Sequence, residues 1–291
     1  MMENDIDYSI VMPVFNEEDG IEQVLKELRS VTPESPIIVV DDGSTDRTAT
    51  ILAGLKSELG LKIIRHSTNR GYGAAIKTGI LEAQTDYILT FDGDGQHDPA
   101  EISKLIAAAG KSDIVIGARA GNSGQPFSRR PGKWFLHGLA NYLARTKLPD
   151  LNSGLRLMKK DVIGGYLHLL SDGFSFSTTS TLAMIKDNRK VNWVDIHTRP
   201  RNGKSTVNQI THGSQTLLLI LRVIVLFDPL RVFLPISGAL FVMGFASASW
   251  HLATNPAGLA DADLLLLISG LLVFLFGLIS DQIAEMRRKG K

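Results

Sequence analysis

Five short apolar runs, each ending in polar or glycine-rich sequence, alternate with helical stretches through the first 120 residues. The runs are Tyr8–Val14, Ile37–Val40, Leu61–Ile64, Tyr87–Phe91 and Asp113–Gly117. Between the first two, Glu17–Arg29 places Ile21, Val24, Leu25 and Leu28 at helical spacing. A second helix, capped by Ser44 or Thr45, turns Ile51, Leu52, Leu55 and Leu59 inward. Gly71–Ala83 and Pro99–Ala109 supply two more, with Pro99 suited to a first turn. Strands this apolar, separated by helices, predict a mostly parallel, doubly wound α/β sheet.

In such a sheet, ligands sit beyond the carboxyl ends of the strands. The polar residues gather there: Pro13, Phe15, Asn16 and Glu17; then Asp41-Asp42-Gly43-Ser44; then Asn69-Arg70-Gly71-Tyr72-Gly73; then Asp92-Gly93-Asp94-Gly95-Gln96-His97-Asp98; then Gly117-Ala118-Arg119. Five such clusters predict one crevice. No GxGxxG follows the first strand and no P-loop pattern occurs, which disfavours a dinucleotide or P-loop nucleotide site. The fourth cluster is chemically the most pointed. Alternate residues of an extended segment share a side, so Asp92 and Asp94 can converge on one cation. Gly93 and Gly95 let the backbone turn and leave room for a bulky ligand. Hard carboxylate oxygens imply Mg2+ or Mn2+, with substrate phosphates completing the shell.

The 31 basic residues balance 30 acidic ones, so no nucleic-acid partner is expected. The absence of cysteine excludes disulfides, thiolate metal sites and a cysteine nucleophile. The acidic opening MMENDIDYS predicts no secretory signal. None of the histidines has paired metal-ligand spacing, although His97, just after the acidic motif, is placed to support it.

PVFNE, VVDDGSTD, NRGYGAAIKTG, FDGDGQHDP and IGAR, in this order, resemble the family-two glycosyltransferases of the GT-A (Rossmann-like) fold, over about residues 6–120. The resemblance implies a nucleotide-sugar donor and a divalent metal. On it, Pro13, Phe15 and Glu17 border the base and ribose, and Val40, Asp41 and Asp42 hold the base. Asp92, Gly93 and Asp94 match the DxD motif that binds donor and metal, and Gln96 matches a further metal ligand of the polyprenol-phosphate branch. Arg119 matches a basic residue that faces phosphate.

The segment 120–135 is rich in glycine, proline and arginine, and its Arg129, Arg130 and Lys133 follow Arg119 as expected acceptor-phosphate contacts. Asp150-Leu151-Asn152-Ser153-Gly154-Leu155-Arg156 resembles a segment of polyprenyl-phosphate glycosyltransferases of the dolichyl-phosphate mannose synthase type. Counting back from Ser153, Arg130 is the better match to the acceptor-phosphate arginine, and Arg129 also fits. Asp94, Arg119 and Arg130 are thus the expected catalytic residues. Residues 191–206 resemble the family's last motif, in which Arg199, Arg201 and Lys204 would close over the donor diphosphate by charge-assisted bonds. One departure stands out: the stretch FSFSTTSTL is all hydroxyl where related enzymes often carry a charge.

Val232–Leu252 carries no charge and is long enough to cross about 30 Å of hydrocarbon, and Leu264–Ser280 is just long enough. Arg222 and Arg231 lie on one side of this pair, and Arg287, Arg288, Lys289 and Lys291 on the other, with no Lys or Arg between. By the positive-inside rule both ends are cytosolic. Leu217–Phe227 is too short to span and is expected to lie in the interface. The expected organisation is a catalytic domain over 1–206, a juxtamembrane amphipathic helix over 207–230 and a transmembrane hairpin over 231–291. Hairpins could pair into a homo-oligomer through Gly238, Gly244, Gly270 and Gly277.

The resemblance implies an inverting transfer of a hexosyl group from a GDP- or UDP-sugar to a polyprenyl phosphate, at the cytoplasmic membrane. A phosphate monoester is already anionic near neutral pH, its second pKa being about 6, so no strong general base is needed. Two other functions share this N-terminal half: extension of a polysaccharide or glycolipid, disfavoured because no QxxRW pattern occurs, and a non-catalytic membrane-tethered nucleotide-sugar sensor, disfavoured by the intact DxD.

Overall fold

The computed structural model describes residues 6–119, 138, 148–150, 152–173, 175–199, 221, 224–225, 228–254 and 259–289. It divides into two compact units, 1–219 and 220–291. Within the first, the strands are β1 (Tyr8–Val14), β2 (Ile37–Asp41), β3 (Leu61–Arg65), β4 (Tyr87–Thr90), β5 (Ile114–Arg119), β6 (Arg156–Lys159) and β7 (Val191–Ile196). Its helices are α1 (Ile21–Val31), α2 (Thr48–Glu58), α3 (Tyr72–Glu82), α4 (Ile102–Ala109, entered by a 3-10 turn at Pro99–Glu101), α5 (Lys160–Gly164) and α6 (Phe176–Lys186).

The sheet runs β3-β2-β1-β4-β6-β5-β7. All neighbours are parallel except β6, which is antiparallel to both β4 and β5. The sheet is thus mostly parallel, of the GT-A type. Alternation along β1 fixes which face each helix covers. Ile10, Met12 and Val14 join α1, α2 and α4 residues such as Leu25, Leu28, Leu52 and Leu105 in one buried cluster. Val11 points the other way, onto α3, which approaches so closely that a Cβ on Gly79 would lie 2.3 Å from Val11 Cγ1. Covering both faces explains why strands this apolar carry almost no polar alternation.

Two helix starts differ from expectation for one reason. The loops after β1 and β2 are tied to each other instead of capping helices. Ser44 Oγ accepts from Asn16 N (3.0 Å), Asn16 Oδ1 from Thr45 N (2.8 Å) and Thr48 Oγ1 from Glu17 N (2.9 Å). The second helix therefore begins at Thr48, with Asp46 Oδ1 accepting from Thr48 N. The first begins at Ile21, after Glu17 closes a turn by accepting from Gly20 and Ile21 N.

In the second unit, α7 (Leu230–Thr254) and α8 (Asp261–Lys289) are each long and apolar enough to cross a membrane. They pair antiparallel along small residues. A Cβ would lie 2.9 Å from Leu267 at Gly244, 3.3 Å from Phe241 at Gly270 and 2.7 Å from Phe233 at Gly277. Three of the four glycines expected to join neighbouring chains thus close the hairpin itself, and only Gly238 has open space around it. Large apolar side chains such as Val242, Phe245, Leu265, Leu272 and Phe276 face outward. Asp263 is fully buried near the connecting loop, where it accepts from Ser247 Oγ (2.5 Å), pairs with His251 Nδ1 (2.9 Å) and takes the Ala260 N–H (2.9 Å). Hydrogen bonds between apolar helices hold such pairs together. Asp263→Ala should lower the hairpin's unfolding midpoint in mixed detergent–SDS micelles, whereas Asp261→Ala, on an exposed residue, should not. The proposed interfacial helix over 207–230 lies almost wholly outside the described residues.

Candidate active site

The crevice forms where the chain leaves β1, β2 and β4 on the same edge. β1 is flanked by β2 and β4, so the connections diverge to either side of it, the position where doubly wound sheets bind ligands. Pro13 is buried, and Phe15 and Glu17 are half-buried at the rim. Val40 is fully buried within β2 and presents no surface to a ligand. Asp41 is 1% exposed, accepts from Ser44 N (2.8 Å) and lies 3.1 Å from Arg65 Nε.

Asp42 is bonded to the neighbouring loop. Its Oδ1 meets His66 Nδ1 (2.6 Å) and Arg70 N (3.0 Å), and its Oδ2 takes Gly71 N (2.7 Å). Three partners meet this buried carboxylate, and through them it shapes the 66–71 loop. Gly43, at φ +75°, brings that loop to its backbone, where a Cβ would lie 2.7 Å from the Thr68 carbonyl carbon.

Asp92 lies just past β4 and is held from three directions. Tyr72 OH donates to Oδ1 at 2.8 Å, and His97 Nε2 stands 3.3 Å from Oδ2. On the third side a Cβ on Gly154 would lie 2.0 Å from Oδ2. Burial favours the neutral acid, but the His97 and Tyr72 hydrogen bonds and nearby positive charge hold the Asp92 carboxyl below its ordinary range. Burial, with the Asp92 carboxylate adding to it, pushes the Tyr72 phenol well above its usual value, so it stays a neutral donor. Asp94 is half-buried and its Oδ1 takes the Gln96 N–H (3.1 Å). Gly93 is buried for packing: a Cβ there would lie 3.2 Å from Val14 and 3.4 Å from Ile21.

Arg119, at the end of β5, makes a two-point contact with Asp150, Nε to Oδ2 (2.7 Å) and Nη2 to Oδ1 (3.0 Å). Those bonds raise its already high pKa, and the charges of Asp92 and Asp94 add to the effect. Burial works against an ionised Asp150, but Arg119 more than offsets it and holds that carboxyl below the usual range. Arg156 is 1% exposed and donates to Ser153 O (2.7 Å), Ser180 Oγ (3.2 Å) and Thr181 Oγ1 (2.8 Å). Burial pulls its pKa down to about 10. The hydroxyl stretch on α6 is therefore the lining of a buried cation.

Arg199 does not point into the crevice. Its guanidinium pairs with Glu27 (2.6 Å) and Asp98 (3.2 Å), while its backbone N–H bonds Gln96 O (2.8 Å). The 198–199 segment is thus tied to the acidic loop both through the backbone and through the Arg199–Asp98 ion pair. Arg129, Arg130, Lys133, Arg201 and Lys204 lie outside the described residues. Tyr72, Gly154 and Arg156 lie within the sequence motifs, but the motifs give them no individual role. The available signals are a tyrosine between two glycines at a helix start and an arginine that opens a short strand.

Among the described residues no cluster of three or more His, Cys, Asp or Glu could enclose a metal ion. Asp92, Asp94 and the Gln96 amide nevertheless fit a divalent cation of a particular kind. Two half-exposed hard-oxygen carboxylates make an open half-shell, which suits Mg2+ or Mn2+ shared with a phosphate-bearing ligand.

Residues 9–167 match glycosyl transferase family 2, and residues 228–286 match the GtrB C-terminal hairpin. The chain is 32% identical over 166 residues to the undecaprenyl-phosphate 4-deoxy-4-formamido-L-arabinose transferase of Edwardsiella ictaluri, a match covering 55% of this chain and 51% of that protein. It thus spans about half the length of that relative. An uncharacterized protein of Methanocaldococcus jannaschii is 34% identical over 202 residues, 65% of this chain and 80% of that one. Among solved structures, glucosyl-3-phosphoglycerate synthase from Mycobacterium tuberculosis, crystallised with Mn2+, UDP and phosphoglyceric acid, superposes with a TM-score of 0.62 at 16% identity, covering 76% of this chain and 79% of that one. At that identity the likeness concerns the fold.

Proposed function

The chain belongs to glycosyl transferase family 2, and on that footing we propose that it moves a hexosyl group from a nucleotide sugar to a polyprenyl phosphate, with inversion, at the cytoplasmic face of a membrane. The observation that carries this reading is the pairing in one chain of a fixed acidic strand end, Asp92 and Asp94, with an apolar two-helix hairpin. A soluble acceptor gives no reason for the second. The names of the undecaprenyl-phosphate relatives support the same acceptor class.

The residues divide the work. Phe15, Glu17 and the Asp41 loop border the nucleoside. Asp92, Asp94 and Gln96 would hold Mg2+ or Mn2+, which when bound neutralises diphosphate charge and stabilises the leaving nucleotide. Arg119, braced on one edge by Asp150, presents positive charge to the acceptor phosphate, aided by Arg129, Arg130 and Lys133. Arg201 and Lys204 close over the donor. No side chain need take a proton from the acceptor, because a phosphate monoester is already anionic near neutral pH. Arg231 at the start of α7 and Arg287–Lys289 at the end of α8 support a cytosolic side for that end of the hairpin.

The test offers detergent-solubilised protein a panel of radiolabelled UDP- and GDP-sugars with undecaprenyl phosphate and Mg2+ or Mn2+. Label should pass into the organic phase from one donor, in an acid-labile product. Label recovered only in polymer, or no lipid product with any donor, would refute the lipid-phosphate acceptor.

A further inference from the structure

We infer that Tyr72 is a positioning residue for the reaction: its hydroxyl fixes the orientation in which the Asp92 carboxylate meets the cation and donor. The inference rests on the proposed metal-dependent reading of the crevice. It starts from how little freedom Asp92 has. One oxygen is held by Tyr72 and the other faces His97, and Gly154 leaves no room to retreat on the remaining side.

Tyr72 is itself aimed by the backbone around it. It is the first residue of α3, and Gly71 before it adopts φ +104°. The Gly71 N–H is anchored on Asp42 Oδ2 (2.7 Å). On the far side Ala74 N donates to Asp172 O (3.0 Å), and a Cβ on Gly73 would lie 2.1 Å from Ser171 O. The helix start is thus wedged between the end of β2 and the 171–173 loop. From there a rigid ring carries a hydroxyl to Asp92. The buried Asp42 consequently acts at a distance, by holding the loop from which Tyr72 projects.

A phenol suits this task better than a charged donor. Lysine or arginine at the same distance would orient Asp92 but cancel the charge that attracts a cation. A neutral hydroxyl orients without neutralising, as groups that support metal ligands commonly do. Tyr72→Phe keeps the ring and removes only the donor, which makes it the informative substitution.

The experiment is a Mn2+ titration of the purified full-length protein followed by electron paramagnetic resonance, with UDP and separately with GDP as the nucleotide probe, beside thermal unfolding. Tyr72→Phe should weaken Mn2+ binding by roughly ten- to a hundredfold and leave the unfolding midpoint within a few degrees of the parent. Gly154→Ala, which pushes Asp92 from the opposite side with Tyr72 intact, should weaken Mn2+ binding likewise. It serves as the deciding variant should Tyr72→Phe not fold. Parent-like Mn2+ affinity in the folded variant, or a loss of stability with Mn2+ affinity unchanged, overturns the inference and leaves the metal site standing. A parent protein that binds no Mn2+ with either nucleotide overturns the metal reading and the inference with it.

Discussion

Asp94→Ala should reduce sugar transfer by at least about a thousandfold, at the upper end of what removing one preorganised electrostatic group produces. The folded state should barely change. Asp94 is half-buried on a loop, and the contact it makes with Gln96 N closes a local turn. The loss should fall on kcat and on the concentration of divalent ion needed for half activity, because the half-shell offers only Asp92 and an amide besides it. Asp94→Asn, which keeps the shape and drops the charge, should be nearly as poor. Rates in the lipid-phosphate assay across a Mn2+ series are the check. Transfer by Asp94→Ala within tenfold of the parent would sink the assignment of this loop as the reacting centre.

Gly73→Ala should be among the most damaging single methyls at the described glycines of the catalytic unit, costing about 3 kcal/mol. The added Cβ would lie 2.1 Å from Ser171 O and 3.0 Å from two further backbone atoms, Asp172 C and Gly173 O. Backbone on one side and the first turn of α3 on the other leave no rotamer to change. For a unit of this size the midpoint should drop by roughly 6–12 °C. Gly54→Ala is the matched contrast. Gly54 lies inside α2 with nothing within 4 Å of its missing Cβ. There alanine should stabilise by about 0.5–1 kcal/mol, since glycine is a poor helix former. Calorimetry on both variants decides the matter, and equal midpoints would refute the close packing at Gly73.

What the sequence made legible follows from periodicity. The five strands and four helices before Arg119 announce themselves because apolar residues recur at the spacing each element requires. The sixth strand does not, since it is only four residues long and begins and ends on a cation, Arg156 and Lys159. α6 misleads in the same way. Its Ser and Thr residues suggest a solvated surface, yet Thr179, Ser180 and Thr181 return their hydroxyls to carbonyls at Ser175 and Ser177, and all three are buried. Partner choice is the other thing periodicity omits. Arg199 reads as a phosphate ligand, and the fold also brings Glu27 to it across 172 residues; Asp42 reads as a base acceptor, and three partners also converge on it. Spacing along the chain encodes which face a residue occupies; it carries no information on which distant charge arrives first.

The antiparallel strand β6 has a consequence for the order in which the protein can be built. It separates β4 from β5, and β5 pairs only with β6 and β7. A ribosome that has made the first 120 residues has therefore made a strand with no neighbour, and an Asp92 whose Gly154 wall does not yet exist. Closing that gap requires a segment from beyond residue 150 to thread between two earlier strands, a non-local step that slows folding. The acidic centre of the crevice is thus among the last parts of the sheet to be finished, and a nascent chain carries the motif well before it carries the site.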